Sequence, residues 1–96
     1  MRLPLFYRIA HELTNEQRDL IQIALAIHPA QAAIITNPSD AEFAGQFASQ
    51  VLQLKKTDTL MSDLVQELNG PVVVITNQET PLLAVYEDGS EENIAC

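Results

Sequence analysis

Hydrophobic residues recur with helical periodicity between residues 14 and 28. They fill more than half of a helical wheel, so the pattern predicts a helix that packs on two sides. Residues 14–17 have the form of a capping box, which places the start of the helix at Thr14. His28 and Pro29 end it, because the residue before a proline avoids the helical conformation. Its apolar positions are Leu20, Ile21, Ile23, Ala24, Leu25 and Ile27.

The same periodicity predicts two further helices. Residues 39–42 form a second capping box and predict a helix that continues to about Leu54, with Phe43 and Phe47 on its buried side. A third helix is predicted to begin at Thr57 and Asp58. It ends at residues 69–71, where Asn and Gly precede Pro.

Short runs of aliphatic residues predict the strands. Residues 32–36 lie between two prolines, and residues 72–76 are β-branched throughout, as is typical of buried strands. Residues 82–86 are predicted to return as the antiparallel neighbour of 72–76. Residues 4–12 fit either a short helix or an edge strand. The sequence therefore predicts an α/β fold, a small mixed sheet of three to four strands with helices packed on its faces, in the order α-β-α-α-β-β.

The net charge of −8 arises in the last forty residues of the chain. All five bases lie at or before Lys56, whereas eight of the thirteen acids lie after it. A field of one sign favours a positively charged partner and repels nucleic acid. We therefore expect a non-enzymatic interaction domain that binds a basic protein surface and makes no direct contact with nucleic acid. The acids expected to face the partner are Asp58, Asp63, Glu67, Glu87 and Asp88.

Length and composition predict a single domain over residues 1–96, with an acidic end that is loosely held from about residue 87. The one cysteine, Cys96, cannot form a disulfide within these residues. No stretch reaches the ~20 apolar residues that span a bilayer. We therefore expect a cytoplasmic protein with no membrane partner.

The chain contains no residue pattern typical of catalysis. His11 and His28 are its only histidines, and neither has a second ligand at helical or hairpin spacing, so we predict no metal and no cofactor. None of the serines lies in a G-x-S-x-G elbow. Asp63 and Glu67 are one helical turn apart, but they fall on the predicted solvent side of their helix.

A second hypothesis rests on a tripeptide that is repeated at the ends of the two predicted buried strands. Residues 35–37 and 75–77 both read Ile-Thr-Asn. If the strands are parallel, these polar residues meet at the carboxyl edge of the sheet, where open α/β sheets usually hold ligands. The alternative is that Thr and Asn simply end strands and begin turns. The residues of this predicted ligand edge are Thr36, Asn37, Ser39, Thr76 and Asn77.

The outer face of the predicted second helix is polar but uncharged. Such a face is easier to desolvate than a charged one, so it suits contact with a partner or with a second copy of the chain as a homodimer. Its residues are Gln46, Ser49, Gln50 and Gln53.

Residues 61–68, Met-Ser-Asp-Leu-Val-Gln-Glu-Leu, lead into Val-Val-Ile-Thr at 73–76 and then through Thr80 and Pro81 into a second strand. This order resembles the middle of antitoxins of the Phd/YefM family, in which a helix L-S-E-L-L-D-x-V precedes a strand V-V-I-T and a G-K-P turn. Glu79 stands where that family has glycine. The resemblance implies a dimeric, operator-binding repressor that neutralises a toxin.

Overall fold

A computed structural model describes residues 4–54 and 61–94 of the chain. They form a mixed six-stranded sheet with helices on both faces. The α/β class is confirmed, but the sheet has six strands where the sequence predicted three to four. The strands are β1 (Phe6–Ala10), β2 (Ala33–Ile35), β3 (Val51–Gln53), β4 (Val72–Thr76), β5 (Leu82–Val85) and β6 (Glu91–Asn93), and the helices are α1 (Asn15–Ile27), α2 (Ala41–Ala44) and α3 (Met61–Leu68).

The strands lie in the order β3-β2-β4-β1-β5-β6. The first four are parallel to one another, β5 is antiparallel to β1, and β6 is antiparallel to β5. The chain therefore passes over a neighbouring strand twice, since β1 leads through α1 to β2 and β3 leads through α3 to β4. Each crossover is made by a helix, as parallel pairing requires.

Residues 4–12, for which the sequence allowed a helix or an edge strand, contain the central strand β1. Phe6 pairs with Val72 of β4 on one side and with Val85 of β5 on the other. The prediction that 82–86 is the direct neighbour of 72–76 is therefore wrong, because β1 lies between them. A central position suits β1, since Tyr7 and Ile9 are buried on one face while Phe6 packs into the core on the other.

The capping box of α1 is confirmed. The Gln17 backbone N–H donates to Thr14 Oγ1 (3.1 Å), and the Thr14 backbone N–H donates to Gln17 Oε1 (2.9 Å). The helix ends at Ile27, and the His28 N–H still donates to the Ala24 carbonyl. A sequence pattern that satisfies its own orphan N–H groups needs no tertiary contact to define where the helix begins.

The prediction that α1 packs on two sides is wrong for the described residues. Ile21 and Leu25 are buried against the sheet. Three other large aliphatic side chains stay in solvent, with exposed fractions of 44% for Leu20, 60% for Ile23 and 68% for Ile27. We call these three residues the α1 stripe.

The predicted helix from 39 to about 54 is also wrong. Asn37, not Ser39, supplies the capping oxygen of a 3₁₀ turn at Pro38–Asp40, and α2 stops at Ala44. Gly45 follows, and glycine costs about 1 kcal/mol in a helix relative to alanine. The segment after it pairs with β2 as β3. There the Ala33 N–H donates to the Gln50 carbonyl (2.8 Å) and the Leu54 N–H donates to the Ile35 carbonyl (2.9 Å), so backbone groups of β2 that a helix would leave unmet have partners.

Helix α3 lies on the face of the sheet opposite α1. Its Val65 and Leu68 pack with Ala32, Ile34 and Val72, whereas α1 and α2 pack on the cluster that contains Ile9 and Val73. The predicted stop at residues 69–71 is confirmed by Asn69, which adopts a left-handed conformation (φ 60°) directly after the helix. The predicted start at Thr57 and Asp58 lies outside the described residues.

The acidic segment after β5 forms a hairpin. Its turn is closed by the Gly89 N–H, which donates to the Tyr86 carbonyl (2.9 Å), with Gly89 at φ 87°. Strand β6 then pairs with β5, and Glu91 forms an ion pair with Arg8 of β1. Glu91, close to the end of the described residues, is thus paired with a central strand. None of the described helices has the length and apolar character needed to cross a membrane.

Candidate functional site

A groove of about 370 Å³ opens between the C-terminal end of α1 and the β5–β6 hairpin. Its size falls at the small end of ligand pockets, which span roughly 300–1,000 Å³. Apolar and aromatic side chains form most of its wall. We call it the α1–β6 groove, and it is lined by Pro4, Tyr7, Ala24, Ile27, His28, Tyr86, Glu92 and Ile94.

One carboxylate lies in this groove. The Tyr86 hydroxyl donates to Glu92 Oε2 (2.8 Å), which holds the carboxylate across the hairpin. Burial raises the pKa of the neighbouring Tyr7 hydroxyl above its ordinary value, and Tyr86 raises it further. Tyr7 is therefore neutral at physiological pH, and the negative charge of the groove comes from Glu92.

His28 contributes a nitrogen without a partner. The residue lines the groove directly after the last turn of α1, as the sequence predicted for a helix-end histidine. Its Nε2 is buried and forms no hydrogen bond with the described residues. Buried polar nitrogens usually have a hydrogen-bond partner. A ligand group that pairs with His28 Nε2 would therefore remove the free-energy cost of leaving this nitrogen unpaired.

The α1 stripe continues from the groove along the outer surface of the helix. At 100° per residue, Leu20, Ile23 and Ile27 fall on the same flank of α1 as Ala24, which lines the groove. Ile94, 39% exposed, forms part of the opposite wall. Groove and stripe together form one apolar surface, the type of feature that marks interaction sites on soluble proteins.

Negative charge surrounds this apolar surface. Glu16 and Asp19 lie one helical turn before Leu20 and Ile23, respectively, and both are exposed. The last turn of α1 carries no basic residue, so the negative end of the helix dipole at the groove is not compensated from within the helix. Of the described bases, Arg8 pairs with Glu91, and Arg18 falls on the flank of α1 away from the stripe.

The predicted ligand edge has the strand arrangement that the sequence hypothesis required. β2 and β4 are adjacent and parallel, with Ala33 opposite Val73 and Ile34 opposite Val74. Thr36 and Asn37 therefore follow β2 at the same edge at which β4 ends in Thr76, with Asn77 next. The chain leaves β2 toward β3 and leaves β4 toward β5, in opposite directions. Such a divergence is a topological switch point.

Several polar groups at this edge already have partners. Asn37 Oδ1 accepts from the Ser39 N–H (3.1 Å), and the Thr76 hydroxyl donates to Gln78 Oε1 (2.7 Å). Gln78 also donates to the carbonyls of Arg8 and Thr80. Sequence reasoning missed Gln78, because its role depends on β1 lying next to β4. It missed His11 for the same reason: the His11 N–H donates to the Thr76 carbonyl, so β1 ends at this edge too.

The acids predicted to face a partner lie on two sides of the molecule. Glu87 and Asp88 are exposed in the turn that follows Tyr86, beside the α1–β6 groove. Asp63 and Glu67 are exposed on α3, on the opposite face of the sheet. Asp58 lies outside the described residues. Among residues 4–54 and 61–94, no three histidine, cysteine or acidic side chains are grouped so that they would hold a metal.

The uncharged residues assigned to a helix face lie instead around the edge strand β3. All four are exposed, but Gln46 follows α2, Gln53 belongs to β3, and the Gln50 carbonyl accepts from the Ala33 N–H. They do not form one helical face, because the helix ends at Ala44. Ser49 lies in the link between α2 and β3.

The α1–β6 groove was not predicted from the sequence. Its walls come from β1, α1 and the β5–β6 hairpin, which are brought together only by the insertion of β1 between β4 and β5. The excess of apolar positions in α1 was the available signal. That excess predicts packing on two sides of the helix, whereas the structure leaves one side exposed.

Comparisons with known proteins give no family for this chain. No protein-family model matches it, and neither a curated protein nor a solved structure does.

Proposed function

We propose that this domain is a non-enzymatic, acidic interaction module that binds a basic surface of another protein. The observation that carries the proposal is the α1 stripe, whose large aliphatic side chains stand in solvent on a helix that buries only Ile21 and Leu25 against the sheet. The stripe and the α1–β6 groove form the apolar centre of the contact. The carboxylates around them form its polar rim, the arrangement typical of protein interfaces.

The charge around the stripe favours a basic partner. Glu16 and Asp19 flank its first turn, Glu92 lies in the groove, and Glu87 and Asp88 lie in the adjoining turn. A partner segment with apolar residues flanked by Lys or Arg would bury the stripe and pair with this rim. Such charges chiefly speed association and select partners, while the buried apolar contacts supply most of the affinity.

The same charges disfavour a second copy of the chain as the occupant. An antiparallel contact between two α1 helices would place Glu16 and Asp19 of each copy near the last turn of the other. That turn contains no base, and the described part of the chain offers only Arg8 and Arg18 against twelve acids. Carboxylates would thus be desolvated without cations, which costs free energy.

Salt dependence tests this proposal. We expect the tagged chain to retain a basic protein from extracts of its source cells in about 50 mM salt and to lose it in about 500 mM. The Debye length, which sets the range of charge–charge attraction, is several times shorter at the higher concentration. The partner is identified, and its affinity is then measured at both concentrations with purified proteins. An affinity that changes less than about twofold contradicts a charged rim, as does recovery of the domain alone under both conditions.

We propose a second function, ligand binding at the carboxyl edge, on one specific observation. The chain diverges there between two adjacent parallel strands, at residues 36–37 and 76–77. Exposed Asn37, Asn77 and His11 supply polar groups that can turn toward a small polar molecule. We expect this ligand to act as a regulator of the domain.

A thermal-shift screen of nucleotides and polar metabolites tests this second function. A ligand at a hundred times its dissociation constant is expected to add about 2.7 kcal/mol of stability. The Asn77→Ala variant should lose that gain, while Gln66→Ala, an exposed polar residue of α3 near the opposite end of β4, should keep it. If no compound shifts the unfolding temperature, or both variants respond alike, the edge is not a ligand site.

A further inference from the structure

We infer that the α1–β6 groove is the anchor pocket of the proposed interface and that it takes one long cationic side chain, arginine or lysine, from the partner. This inference rests on the proposed function and names the group that the interface recognises. Three features of the groove lead to it: its mouth, its charge and its aromatic wall.

The mouth of the groove is aliphatic. Ile27 of α1 and Ile94 after β6 both line it and are both exposed, so they offer apolar surface to a chain of methylene groups. Lysine and arginine bury their stems against such surface while their charged ends reach a polar group. A short polar side chain would leave both isoleucines in water.

The charge of the groove is negative. Glu92 is the carboxylate in its lining, and the Tyr86 hydroxyl holds Oε2 at 2.8 Å. The C-terminal end of α1 adds the negative end of a thirteen-residue helix dipole, with no basic residue in its last turn. Both effects favour a cation, and both disfavour the carboxylate or phosphate group of a ligand.

The remaining wall is aromatic and carries the unpaired histidine nitrogen. Tyr7 and Tyr86 both line the groove, and aromatic rings attract ammonium and guanidinium groups through their negative faces. The Nε2 of His28 has no partner among the described residues, and an imidazole nitrogen without a proton accepts a hydrogen bond from such a group. A guanidinium carries five N–H donors and can pair with Glu92 and His28 together.

The test uses small probes on the whole chain. N-butylguanidinium carries the stem and charge of arginine, and N-butylurea has a similar shape without the charge. We expect N-butylguanidinium to shift the backbone amide signals of Ala24, Ile27 and Ile94 in NMR spectra, with a dissociation constant on the order of 1–10 mM for so small a ligand. N-butylurea should bind about tenfold more weakly.

A pair of matched variants locates the site. Glu92→Gln should weaken N-butylguanidinium binding about tenfold, because it removes the charge while leaving an acceptor for Tyr86. Glu42→Gln, which removes the same charge from an exposed position of α2, should change binding less than about twofold. Equal binding of the two probes, signals shifted elsewhere, or equal effects of the two variants would overturn the inference. The comparison of N-butylguanidinium with N-butylurea uses the unchanged chain, so it still tests the inference if Glu92→Gln unfolds.

The outcome separates this inference from the proposed function. If the groove rejects N-butylguanidinium while a basic protein is still captured in a salt-dependent way, the anchor assignment is wrong and the interaction module stands. If the cation binds but no partner is captured, the proposed function is wrong and a free organic cation becomes the ligand, which overturns the partner side chain as its source.

Discussion

Replacing Ile9 with alanine is expected to lower the free energy of unfolding by about 2–5 kcal/mol. Ile9 is 0% exposed, and it pairs with Ile75 of β4 on one side and with Leu82 of β5 on the other. The truncation leaves a cavity that neither neighbouring strand can close without breaking its own pairing. Domains of this kind are stable by about 5–15 kcal/mol, so the loss is a large share of the total.

Urea denaturation followed by circular dichroism measures this loss. The midpoint should fall while the slope of free energy against urea stays the same, which indicates a change in stability and not in the amount of surface exposed. Ile23→Ala is the matched control, because it removes the same atoms from an exposed position of α1 and should change stability by less than about 0.5 kcal/mol. If Ile9→Ala cost no more than its control, β1 would not be a central strand.

The double substitution Ile23→Ala and Ile27→Ala is expected to lower the affinity for the captured basic partner by about tenfold or more for each residue. The two side chains expose 60% and 68% of their surface, so binding is the event that would bury them. Alanine keeps the charge of the surface and favours the helix. Unfolding stability should therefore stay close to that of the unchanged chain.

The salt dependence of this variant makes the test specific. Because no charge is altered, affinity should drop at every salt concentration by a similar factor, mainly through faster dissociation. Gln22→Ala, on another flank of α1, is the control and should bind within about twofold of the unchanged chain. A partner that binds the double variant normally, yet is still released by salt, would contact the acids without the stripe and would contradict the proposed interface.

Local sequence determined the elements whose signals are complete within a few residues. Residues 14–17 form both hydrogen bonds of the capping box that defines the start of α1. Asn69 is the left-handed residue that ends α3. β4 is β-branched at every position and is central in the sheet, as predicted. The parallel pairing of β2 and β4, which the ligand hypothesis assumed, is a feature of the sheet and was not predicted from the sequence.

Hydrophobic periodicity misled where one pattern fits two structures. Residues 43–52 place apolar side chains at helical spacing. Within this pattern Phe43 and Phe47 do contact each other, as residues one helical turn apart would, with ring centroids 5.2 Å apart. Val51 and Leu52 belong to β3 instead. A three-residue strand is too short to show alternation, and its stabilising hydrogen bonds come from β2, sixteen or more residues away in sequence.

The sequence by itself determined the α/β class, the position of α1, β2 and β4, and an acidic charge that favours a basic partner. Tertiary structure alone decided that residues 6–10 are the central strand, that β5 pairs with β1, and that one flank of α1 remains in solvent beside a groove. The physical reason is range. The backbone N–H and C=O groups of caps and turns find their hydrogen-bond partners among neighbours along the chain. Strand order and surface exposure depend instead on which distant segments compete for the same backbone hydrogen bonds and for burial against the same apolar surface.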